Sequence, residues 1–84
     1  MTGAELVTLF SRLNIGELPG AYAALLRGFE RATNAAEAEQ RAEDINELLW
    51  ALKTGQVVTA DQALAMDAEL RHALYAARVR LGVA

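Results

Sequence analysis

The chain has 84 residues, no cysteine and a formal charge of −3, and over half of its residues are hydrophobic. That length holds one core and no independent second domain, and without disulfides so small a core is only marginally stable unless assembly supplements it. Valine and isoleucine are too scattered for a sheet, and no apolar run nears the ~18 residues of a membrane span, so the composition predicts an all-α protein.

The first helix is predicted over residues 3–14. Thr2 followed by Glu5 has the spacing of a capping box, and Met1 with Leu6 supplies the matching hydrophobic staple. Leu6, Leu9, Phe10 and Leu13 then fall on one helical face, with Asn14 or Gly16 available for a left-handed end. The stretch from Ile15 to Gly20 combines glycine and proline and reads as a turn. Pro19 suits a first helical position, so the second helix is predicted over 19–33, with Tyr22, Leu25, Leu26 and Phe29 on its inner face. Gly28 inside it either permits close packing or weakens the helix.

Asn34 with Glu37 repeats the capping pattern and separates the second helix from a third over 35–54. Its inner face holds Ala38, Ala42, Ile45, Leu48, Leu49 and Leu52, and Gly55 is expected to terminate it. Thr59 with Gln62 opens a fourth helix over 60–81, closed by Gly82. Two long helices joined by a short connection predict an antiparallel hairpin, and the two shorter N-terminal helices close a four-helix bundle along it.

The fourth helix carries two apolar stripes. Ala63, Met66, Leu70, Leu74, Ala77 and Leu81 form the obvious core face, while Leu64, Ala68, Tyr75 and Val79 share another side. Trp50 likewise points away from the inner face of the third helix, into a sector with Glu43, Asn46 and Glu47. Either the fourth helix is central and covers its second stripe with the first two helices, or these side chains lie on the surface as anchors for a protein partner or a second copy.

Charge and motifs restrict the chemistry. The acidic excess is confined to the third helix, where Glu37, Glu39, Glu43, Asp44 and Glu47 outnumber Arg41 and Lys53. This argues against a nucleic-acid partner, which requires a basic face. A helix-turn-helix drawn on the first two helices fails similarly, because its recognition helix opens Gly20-Ala21-Tyr22-Ala23-Ala24 without base-reading side chains. Arg71, Arg78 and Arg80 form a possible phosphate patch, but cations near a helix C-terminus also complement the macrodipole. Ser11, the sole serine, has no base placed beside it, and no glycine-rich phosphate loop appears, so neither catalysis nor a cofactor is expected. Glu69 and His72 make a Glu-x-x-His pair, half of a di-iron helical site, yet they lie off the core stripe and lack companion carboxylates.

The sequence therefore predicts a non-catalytic, cytoplasmic protein–protein interaction module that also forms a homodimer. A small adaptor, an inhibitor or a phage or mobile-element accessory protein is the setting expected. Trp50, Tyr75, Val79 and Leu64 are the expected apolar contacts, and Glu43, Asp44 and Glu47 the charged ones. A DNA-binding regulator and a metal-binding protein using Glu69 and His72 are the alternatives.

Overall fold

The computed structural model describes residues 2–83, which form four α-helices: α1 (Gly3–Phe10), α2 (Leu18–Arg27), α3 (Ala35–Thr54) and α4 (Ala60–Leu81). Short 3-10 turns, Ile15–Glu17 and Gly28–Arg31, precede and follow α2. The predicted all-α bundle is present, with α3 and α4 as its antiparallel hairpin. The contact proposed between Met1 and Leu6 lies outside the described residues.

The long helices begin and end where side chains satisfy their backbone. At the start of α3, Asn34 Oδ1 accepts the Glu37 N–H at 2.9 Å, while the Glu37 carboxylate accepts the Thr33 N–H at 2.8 Å. That backbone bond, helped by the charge of Arg41, holds the Glu37 carboxyl below the ordinary carboxylate range. At the start of α4 the capping box is complete: Thr59 Oγ1 accepts the Gln62 N–H, and Gln62 Oε1 accepts the Thr59 N–H.

Both helices close with the same paired backbone bonds, described as a Schellman motif. In α3, Val57 N–H donates to Leu52 C=O and Gln56 N–H to Lys53 C=O. In α4, Val83 N–H donates to Arg78 C=O and Gly82 N–H to Val79 C=O. The left-handed residue is Gly82 in α4, as expected, but Gln56 in α3, with φ of 58°. Gly55 keeps a negative φ of −78°, so the reversal falls one residue after the predicted terminator.

The first two helices are shorter than their hydrophobic spacing predicts. Helix α1 stops at Phe10, and neither Asn14 nor Gly16 is left-handed. The Ser11 hydroxyl donates to Thr8 C=O at 2.7 Å, taking the acceptor that the Arg12 N–H needs to extend the helix. Arg12 instead bonds Leu9 C=O, and the chain tightens into turns. Leu13 still packs against the core from there, whereas Leu9, assigned to the core face, is exposed. Leu9 lies 100° from Phe10 on the helix, outside the sector of Leu6 and Phe10 that meets α3. In α2 the geometry changes to 3-10 at Gly28, where Arg41 Nη1 comes within 3.0 Å of the place a Cβ would occupy.

Helix α1 packs on α3, whereas α2 and its following turn pack on α4, and α3 and α4 pack on each other. The inner faces of α3 and α4 form the core as predicted, with Leu48 fully buried. Two side chains fix α2 to α4. The Tyr22 hydroxyl donates to Met66 C=O at 2.9 Å, and Arg80 Nη2 donates to the carbonyls of Phe29 and Ala32 at the end of the 3-10 turn. Arg78 joins α4 to α3 through Glu39, with Nε 2.8 Å from Oε1.

Helix α4 is thus covered by α3 on one flank and α2 on the other. The arrangement in which the second stripe of α4 is covered by the first two helices is not observed. Helix α1 sits on α3 instead, and α2 meets α4 along Met66, Ala73 and Ala77, leaving Leu64, Ala68, Tyr75 and Val79 exposed.

Candidate functional site

The outer side of the α3–α4 hairpin carries the four most exposed of the large apolar side chains apart from Val83 at the end of the described chain. Trp50 on α3 is 63% exposed and Leu64 on α4 is 71% exposed. Both line one surface groove of about 220 Å³, floored by Leu49 and Ala63 and edged by Lys53 and Asp67. The Lys53 ammonium stands 5.4 Å from the centre of the Trp50 ring, a cation–π contact that holds the indole in place while leaving much of it in water.

Tyr75 and Val79 continue the surface along α4. Tyr75 is three turns beyond Leu64 on the same side, about 16 Å farther along the axis, and Val79 follows one turn later. They are 60% and 52% exposed. Such large apolar side chains on one helical face are the kind of surface that a partner covers.

The three acids assigned to this surface separate. Glu43 lies seven residues before Trp50 and shares its side of α3. Glu47 instead turns towards α1, where its carboxylate and Cβ fill the space that a side chain at the buried Gly3 would need. An anion at the start of α1 also complements its macrodipole. Asp44 is half-buried in a different cleft of about 730 Å³ between α1, α2 and the first half of α3, where Gln40 Nε2 donates to it at 3.1 Å. Leu6, Leu25 and Ile45 line this cleft, with Arg31 and Arg41 on its rim. The structure therefore groups Trp50, Leu64, Tyr75, Val79 and Glu43 and removes Asp44 and Glu47 from them. The position of Glu47 was signalled only by Gly3, a helical glycine that offers no reason of its own in the sequence.

The residues of the alternative readings are also placed. Arg78 and Arg80 are engaged with Glu39 and with the carbonyls after α2, and Arg71 pairs with Asp67 of its own helix at 2.9 Å. Helices α1 and α2 pack on different long helices and make no more than marginal contact with each other. Glu69 and His72 are exposed, and no group of three or more potential metal ligands forms among the described residues. No described helix is long and apolar enough to cross a membrane. No protein-family model, no curated protein and no solved structure matches the chain.

Proposed function

We propose that this protein is a non-catalytic interaction module of the cytoplasm, a small adaptor or inhibitor that docks a larger protein and a second copy of itself. The docking surface is the outer face of the α3–α4 hairpin. The observation that carries this reading is the exposure of Trp50 and Leu64 on opposite walls of one groove, with Tyr75 and Val79 continuing the same side of α4. Aromatic anchors beside a concave apolar floor are where binding energy concentrates at protein interfaces.

The test places a photo-crosslinking amino acid at position 50, at position 75 and, as a control, at the exposed Arg27 of α2. Protein adducts of defined mass are expected from positions 50 and 75 but not from 27, and Trp50→Ala and Tyr75→Ala should each lose the partner while keeping their helical circular-dichroism spectrum. If both variants lose stability yet retain every association, these side chains serve the fold and the reading fails.

A further inference from the structure

We infer that the self-association surface is the second stripe of α4, paired antiparallel with the same stripe of a second copy about a twofold axis between Arg71 and His72. This inference rests on the docking reading above and names the geometry of one occupant. A twofold interface is isologous, so each residue of the patch must suit the residue that the axis brings opposite it. Leu64, Ala68, Tyr75 and Val79 are separated by intervals of four, seven and four residues, a spacing that reads the same in both directions. Antiparallel pairing then sets Leu64 against the second copy's Val79 and Ala68 against its Tyr75. A small residue faces the largest one, giving the Tyr75 ring a recess. Ala65 and Ala76, both exposed, border the stripe on the side toward α2, and the Asp67–Arg71 pair borders it on the other.

Charge selects the same direction. Asp61, Asp67 and Glu69 lie in the first half of α4, and Arg71, Arg78 and Arg80 in the second. Antiparallel pairing keeps the two acidic halves apart and opposes the helix macrodipoles, whereas a parallel pair brings acid near acid and sets Leu64 on Leu64; Arg78 and Arg80 stay with Glu39 and the carbonyls of Phe29 and Ala32 and add only to the general field. Arg71 comes close to the axis, where Asp67, 2.9 Å away on the same helix, offsets its charge.

The available area reaches the lower bound of a stable interface. Helices α3 and α4 are about 30 Å long and each about 10 Å across, so their outer face is about 30 by 20 Å, or about 600 Å², the lower end of what a stable interface buries per partner.

The chain contains no cysteine, so single thiols report the register. Under a mild thiol oxidant such as diamide, a mixture of Leu64→Cys and Val79→Cys chains should form a mixed disulfide dimer in far greater yield than either chain alone. Sedimentation of the unmodified protein should show a species of twice the 9.1 kDa chain mass, and Tyr75→Glu should weaken that dimer by about tenfold or more at unchanged helicity. An unmodified protein that stays monomeric to hundreds of micromolar overturns the inference, as does preferential linking of Leu64→Cys to itself. If such a monomer still forms a partner adduct from position 50, the docking surface stands and only the second copy is lost.

Discussion

Replacing Tyr22 by Phe removes one oxygen from the junction that keeps α2 on the inner flank of α4. The ring is 2% exposed, and its hydroxyl donates to Met66 C=O at 2.9 Å. That carbonyl lies within the unbroken helix α4, so it keeps its helical hydrogen bond and is not orphaned when the hydroxyl goes. The loss is therefore one neutral hydrogen bond, about 1 kcal/mol, well short of the ~3–5 kcal/mol expected when a whole buried aromatic side chain is truncated to Ala. For a domain of this size about 1 kcal/mol lowers the melting temperature by about 4–8 °C.

The same hydroxyl gives a pH dependence of known sign. Burial, reinforced by Glu69 and Asp67, pushes the Tyr22 pKa up from the ordinary tyrosine value. The unfolded chain then releases this proton first, so the stability that Tyr22 contributes is complete below about pH 10 and is lost as pH rises through the alkaline range, at no more than about 1.4 kcal/mol per unit. Urea titrations of the wild type and Tyr22→Phe at pH 7 and at steps above pH 9 measure both effects. The two curves should converge above about pH 10 and then cross, because the wild type goes on losing stability while Phe has nothing to ionise. A variant as stable as wild type at pH 7, or a constant gap across the alkaline series, refutes the assigned hydrogen bond and burial.

Other consequences can be measured by thermal melts. Arg80→Ala should cost about 1–2 kcal/mol because it strips charged donors from two carbonyls, while Arg71→Ala, an exposed pair within one helix, should cost no more than about 0.5 kcal/mol; equal losses contradict the roles given to these arginines. Gln56→Gly should raise stability by up to about 1 kcal/mol by relieving the left-handed backbone at the end of α3, and a loss places the reversal elsewhere. Gly3→Ala should destabilise α1 by displacing the Glu47 carboxylate, and Glu47→Ala in the same chain should restore part of the loss, because the Cβ at position 47 stays close to the new methyl group; a double variant less stable than Gly3→Ala alone contradicts the contact.

The ends of α3 and α4 were legible because each combines a polar cap, a long periodic stripe and a glycine near the close. The same logic overran α1, since leucine spacing continues to Leu13 while the stopping signal is a hydroxyl, Ser11, competing for one carbonyl. Spacing also singled out Trp50, Leu64, Tyr75 and Val79 as lying off the main core stripes. It did not decide whether they are covered, because that depends on which long helix each short helix joins. Helix α1 chose α3, and α2 took the Met66 flank of α4, a tertiary outcome with no local signature. The acids illustrate the same limit, because Glu43, Asp44 and Glu47 are close in sequence yet diverge around α3 to the outer face, a cleft and the start of α1.

On the proposed reading the apolar outer face of the hairpin, open to water in the isolated chain, is covered on association. Trp50 is the sole tryptophan, so its fluorescence reads that face directly. Across a dilution series, emission should be red-shifted and quenched by acrylamide at the lowest concentrations, then shift to the blue and become protected as assembly proceeds. Blue-shifted, acrylamide-resistant emission from a proven monomer would show that Trp50 is buried within the single chain.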